Sequence, residues 1–375
     1  MSTATRSSFV TKYPLKSLLP SLALFASLVV TTVPVWADAV IATIPVGIAP
    51  NAIAVNSATN KIYVVNGSSN TVTAIDGITN NATTVAVGTA PNAVAVNSTT
   101  NQIYVANGSS NTVTVIDGAT NSTTTVAVGI APSAIAVNSD TNQIYVANNG
   151  SANVTVIDGA SNVTTTVVVG SAPRAIAVNP VTNRIYVVIG DGVTVIDGIT
   201  NSTTGVGVGF GFDAVAVAVN ATTNKIYVTT YASSTLWVID GITNAVSLVA
   251  RSTHPTDFWP VAVNPITNRI YVPSINASWV MVIDGTTNTN IRILTRFISG
   301  GGLGPVVVNP VSNKIYVAKI DGSAIIVMDG ATNSVSKVGA GLSPRDIAIN
   351  PVTNKIYVAN YGDGLTNSTD RKSVV

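Results

Sequence analysis

Residues 97–118 read NSTTNQIYVANGSSNTVTVIDG, and residues 138–159 read NSDTNQIYVANNGSANVTVIDG. The two stretches begin 41 residues apart and differ at few positions. The tripeptide IYV recurs eight times, with its tyrosine at 63, 104, 145, 186, 227, 271, 316 and 357. A second marker, Asp-Gly after an apolar run, falls at Asp76, Asp117, Asp158, Asp197, Asp240, Asp284 and Asp329. A repeat in the low forties with several short strand-like runs per copy is what propeller blades require.

Each copy divides into four strands: AVAVN (93–97), QIYVAN (102–107), TVTVID (112–117) and TTTVAVG (123–129). The connections carry turn chemistry. N-x-x-T-N joins the first strand to the second, and its Asn side chains can close Asx-turns. A Gly/Ser/Asn cluster joins the second to the third. D-G-A-T-N joins the third to the fourth, where Asp is expected to bond its own backbone and Gly to take a positive φ. A Gly/Pro turn, V-G-x-x-P, leads to the next copy. One four-stranded blade cannot bury both faces alone, so blades must stack around an axis. The recurring Tyr is then expected to wedge between neighbouring blades, and the recurring Asp to be structural.

Composition agrees. Hydrophobic residues make up 46% of the 375 and charged residues 9%, so the polar surface is built from Asn, Thr and Ser. All 16 acidic residues are Asp. The missing Glu removes a strong helix former, whereas the abundant Val, Ile, Thr and Tyr suit strands. The fold class is therefore all-β, a propeller of four-stranded blades. The net charge is +2 with no basic run, which gives nucleic-acid binding no electrostatic support. With no Cys there is no disulfide, thiolate metal site or Cys nucleophile.

The N-terminus has the pattern of a secretory leader. Arg6, Lys12 and Lys16 precede the apolar run LLPSLALFASLVV (18–30), and VWA (35–37) stands before Asp38. Residues 1–37 are expected to be a signal peptide cleaved after Ala37, which makes the protein exported: periplasmic, at the cell surface or extracellular. No transmembrane span is expected in the mature chain.

The copies NPVTNKIYVAN (350–360) and SNTVTVIDGATN (110–121) resemble the YVTN-type, surface-layer-like β-propeller repeat family. The resemblance covers residues 39–360, although the Tyr-Val-Thr-Asn core is mostly YVAN, YVVN or YVTT here. It implies a secreted or cell-surface propeller and no particular reaction, because propellers host many functions. The blade count is expected to be eight, or the seven that the family more often suggests. AVIATIPVG (39–47) reads as a fourth strand with no blade before it, able to close the ring against the last blade. The propeller is assigned to 38–369. Residues 370–375, DRKSVV, depart from the repeat and equal the translation of a common sequencing adapter, so they are expected to be a non-native tail.

Catalytic constellations are scarce, and no catalytic residue, metal ligand set or cofactor is assigned. His254 is the one histidine. No Ser lies in a nucleophile-elbow sequence, and GFGFD (209–213) and GGGLG (300–304) open no helix. Residues that break the repeat are more informative. The loops before the first strand and between the second and third strands open on one face. There, the residue after the turn Pro is Asn51, Asn92, Ser133, Arg174 or Arg345. The longer loop RSTHPTDFWP (251–260) brings in Arg251, His254, Asp257 and Trp259, and the second set of loops carries Asp191, Tyr231, Lys319, Asp321, Tyr361 and Asp363. Arg and aromatic side chains dominate binding hot spots, so the expected ligand face comprises Arg174, His254, Asp257, Trp259 and Arg345. The leading expectation is an exported, non-enzymatic binding or surface-layer-like module with a protein or cell-envelope ligand. The alternatives are a lyase, hydrolase or oxidoreductase using a channel-bound metal or cofactor, and a nucleic-acid-binding propeller. About a dozen N-x-[ST] sequons, among them Asn81, Asn121, Asn201 and Asn276, follow from the Asn/Ser/Thr-rich composition.

Overall fold

A computed structural model of the chain describes residues 38–207, 214–252, 260–295 and 302–362, together with the backbone of 371–374. Residues 1–37, and with them the expected leader, lie outside the described residues. The propeller belongs to one compact unit, Asp38–Val375.

Eight four-stranded antiparallel sheets are formed, each with its strands in sequence order except the last. In the first blade they are Pro50–Asn56, Lys61–Asn66, Thr71–Asp76 and Ala82–Ala86. In the second they are Pro91–Asn97, Gln102–Asn107, Thr112–Asp117 and Thr123–Ala127, close to the segments read from the repeat. The eighth sheet runs Pro344–Asn350, Lys355–Asn360, Arg371–Val374 and, outermost, Ala42–Pro45. The N-terminal strand thus completes the last blade as expected. Arg371–Val374 fills the place between it and Lys355–Asn360 through main-chain pairing, which any non-proline segment can offer.

The first strand of every blade touches the first strand of the next, and that of the eighth touches that of the first. The ring therefore closes with eight blades rather than seven. The first strands form its inner wall, and each has one edge unpaired within its own sheet.

The core lies between blades, not within them. One cluster joins Tyr63, Val65, Val72 and Val85 of the first blade to Ile103, Val105 and Ile116 of the second. The cluster that closes the ring joins Ile44, Tyr357 and Ala359 to Ile53, Ile62, Val64 and Ile75. All eight repeat tyrosines are fully buried at these seams. Burying an aromatic or large aliphatic side chain stabilises by roughly 1.5–3 kcal/mol, so a repeated seam outweighs any single contact.

Polar stitching follows the same seams. The Asn that ends each first strand donates its Nδ2 to Oδ1 of the turn Asn of the next blade: Asn56 to Asn101 at 2.8 Å, Asn138 to Asn183 at 2.7 Å, Asn264 to Asn313 at 2.8 Å. Asn350 to Asn60, 2.7 Å, completes the circuit. The donor Asn also closes the Asx-turn that the repeat predicts, for example Asn56 Oδ1 accepting from Ala58 N at 3.1 Å. Lys61 and Arg184 reach the carbonyls of Gly118 and Gly241 in the following blade, 2.6 and 2.7 Å away. Lys314 meets the carboxylate of Asp38 instead, at 2.8 Å, just ahead of the N-terminal strand.

The Asp-Gly turn departs from expectation in one respect. Asp76 Oδ1 accepts from Ile78 N and Thr79 N at 2.9 and 2.8 Å, and these hydrogen bonds hold its carboxyl below the usual range. The positive φ, however, belongs to Asn80 (62°) and not to Gly77. Gly77 serves by lacking a Cβ, which would stand 2.6 Å from the Asn60 carbonyl oxygen.

Candidate functional site: the channel mouth

Two sets of loops meet on one face. Gly67 N donates to Ala49 O at 2.9 Å, which ties the loop between the second and third strands to the turn before the first. Gly108 N to Ala90 O and Asn149 N to Ala131 O repeat the tie in the next two blades. A cavity of about 490 Å³ opens across this face, lined by both loop sets of the first three blades and by Tyr361 of the eighth. That volume is in the range that holds a small organic ligand.

The residues after the turn proline occupy this rim, but several are engaged in structure. Asn51 Nδ2 donates to Pro91 O at 3.1 Å, Asn92 Nδ2 to Pro132 O at 2.9 Å, and Ser133 Oγ to Pro173 O at 3.0 Å. Each latches its blade to the next. The hydroxyls of Ser68 and Ser109 have no such partner and stand on exposed loop tips at the cavity.

Arg345 holds the same blade position and is exposed. Its guanidinium carbon lies 5.1 Å from the centroid of the Tyr361 ring, a cation–π contact. Tyr361 N donates to Ser343 O at 3.0 Å, which anchors the Tyr361 backbone at the cavity edge. Arg174, also exposed, occupies the equivalent position in the fourth blade. It follows Pro173, whose carbonyl accepts from Ser133 and Asn149. Neither arginine lines the cavity: Arg345 stands in the eighth blade, which contributes Tyr361 to it, and Arg174 in the fourth, next to the third blade at its other side. His254, Asp257 and Trp259 lie outside the described residues. Of the other repeat-breaking residues, Lys319 and Asp321 pair with each other at 2.8 Å.

One residue of the inner wall escaped the sequence reading. Asp346 stands where the first blades carry Ala52, Ala93, Ala134 and Ala175. Its Oδ2 accepts from Ile53 N of the first blade and its Oδ1 from Ile347 N, both at 2.9 Å. Burial nonetheless pushes the carboxyl up to about 6, with the two amide hydrogen bonds opposing that shift. The clue was available in PRDIAIN (344–350) set against PRAIAVN (173–179). Among the described residues, no three His, Cys, Asp or Glu side chains come together as a metal site, and no helix is long and apolar enough to cross a membrane.

No protein-family model matches the chain. No curated protein matches it either. Solved structures do. Hydrazine synthase of Kuenenia stuttgartiensis superposes with a TM-score of 0.60 at 17% identity, over 88% of this chain and 97% of that one. The dihydro-heme d1 dehydrogenase NirN in complex with DHE superposes with a TM-score of 0.67 at 15% identity, over 81% of this chain and 69% of that one. At such identities the likeness establishes the propeller fold alone.

Proposed function

We propose that the protein is an exported, non-enzymatic β-propeller of the YVTN-repeat type that binds a ligand at the channel mouth. One observation carries the reading. Side chains present in every blade are engaged in seams and turns, whereas Arg345 and Tyr361, which break the repeat, meet beside a cavity that draws on four blades. Export is supported by the leader-like residues 1–37. The YVTN assignment is supported by the repeat itself.

Retention of the purified exported protein on cell-envelope fractions tests this. Ser109→Trp puts a bulky group over the cavity from an exposed tip, and Ala119→Trp puts the same group on the opposite face. The expected outcome is loss of retention for Ser109→Trp alone. Equal retention of both variants, or none by the wild type, would sink the mouth assignment.

A further inference from the structure

We infer that the mouth takes an acidic saccharide, a polyhydroxylated ring bearing a carboxylate. The inference rests on the mouth-binding reading above and adds the class of ligand. The cavity wall is neutral and polar. Its strong amide donors are already directed at proline carbonyls, and its backbone amides at Gly67 and Gly108 are paired as well. What remains for a ligand is the hydroxyls of Ser68 and Ser109, the side-chain carbonyl oxygen of the exposed Asn92, and the ring and hydroxyl of Tyr361. Hydroxyls both donate and accept, so this lining matches a ligand that does the same at many points around a ring. A flat aromatic face beside such groups offers an apolar surface to the C–H face of a sugar.

The charge at the site is equally specific. Arg345 lies over Tyr361, and among the described residues no carboxylate forms an ion pair with it. The nearest acid in sequence, Asp346, is turned to the inner wall and holds the amides of Ile53 and Ile347. The guanidinium fork thus keeps its capacity for a bidentate carboxylate. Tyr361 links that fork to the hydroxyl-lined cavity, so a sugar in the cavity would present its acid group to Arg345.

Titration calorimetry with uronic acid trimers (galacturonate, glucuronate, mannuronate) and their methyl esters tests this on the exported protein. At least one free acid is expected to bind about tenfold or more tightly than its ester, the worth of a charge-assisted contact. Arg345→Gln should reduce that preference to near unity while leaving ester binding, and Ser109→Trp should abolish binding of both. Binding of acid and ester alike, or a preference that survives Arg345→Gln, overturns the assignment of the acid group. Absence of binding to every trimer, with envelope retention still lost in Ser109→Trp, overturns the saccharide class and leaves the mouth as a site for another ligand. Retention that ignores Ser109→Trp removes the mouth reading itself.

Discussion

Asn350 Nδ2 lies 2.7 Å from Asn60 Oδ1, although the two residues are 290 positions apart. The same bond, made 45 residues apart between Asn97 and Asn142, joins neighbouring blades elsewhere in the ring. Only at Asn350–Asn60 must it hold together the two ends of the propeller. Asn350 is fully buried, so losing its partner strands a polar group at a seam. Asn350→Ala is expected to cost about 1–3 kcal/mol in denaturant unfolding, as is Asn97→Ala. A double-mutant cycle of Asn350→Ala with Asn60→Gly, which keeps the turn's positive φ available, should give a coupling of about 1 kcal/mol. Additive effects would mean that the contact contributes nothing to closure.

The glycine of the Asp-Gly turn is required by proximity. A Cβ on Gly77 meets the Asn60 carbonyl oxygen at 2.6 Å, and backbone cannot swing aside as a side chain can. Gly77→Ala should destabilise by about 1–3 kcal/mol. Gly205 lies on a strand with nothing within 4 Å of its Cβ position, so Gly205→Ala should be neutral or stabilise by up to about 1 kcal/mol. Thermal unfolding of the pair checks both. A harmless Gly77→Ala would show that the turn relaxes.

The buried tyrosines differ at their hydroxyls. Tyr104 Oη donates to Gln102 Oε1 at 2.7 Å. Tyr227 Oη is buried with no hydrogen-bond partner, and burial, aided by the charge of Asp284, pushes its pKa up to about 12. Removing an unsatisfied buried hydroxyl relieves a desolvation cost, whereas removing a paired one forfeits a bond. Tyr227→Phe should therefore be neutral or stabilising, and Tyr104→Phe should cost about 0.5–1.5 kcal/mol. Unfolding midpoints that move in the reverse order would contradict this account of the seams.

Asp346 makes the ring sensitive to pH in a defined direction. Its carboxyl rises from an ordinary 3.8 to about 6 on folding. Between those values the folded state keeps a proton that the unfolded chain releases, so this group's contribution falls as pH rises from about 4 to 6 and is constant above. The change amounts to about 2–3 kcal/mol. The turn aspartates, whose carboxyls are lowered, act with the opposite sign at lower pH, which a difference measurement cancels. The stability of the wild type minus that of Asp346→Ala should decline over that window. A flat difference would mean that the carboxylate is well solvated in the channel.

The repeat made most of this architecture legible. Four strands per copy, turns at their joints, tyrosines between blades and a fourth strand supplied from the N-terminus all follow from local pattern, because side-chain alternation and turn chemistry act over a few residues. The count of eight needed closure, since a ring angle is a sum over every seam and no single copy encodes it. At the mouth, the sequence marked Arg345, Arg174 and Tyr361 as departures from the repeat, but not that Arg345 and Tyr361 touch. Nor did it separate Asn51 and Asn92, which latch blades, from Ser68 and Ser109, which face the cavity. Asp346 was visible only as a departure from the Ala of other blades, and its contact with Ile53, like the Lys314–Asp38 pair, was not legible because the partners lie 293 and 276 residues away. Sequence alone determined what each blade is, through interactions within some forty residues. Tertiary structure decided how many blades close the ring and which side chains are left for a ligand, because both depend on contacts between residues that only the closed ring brings together.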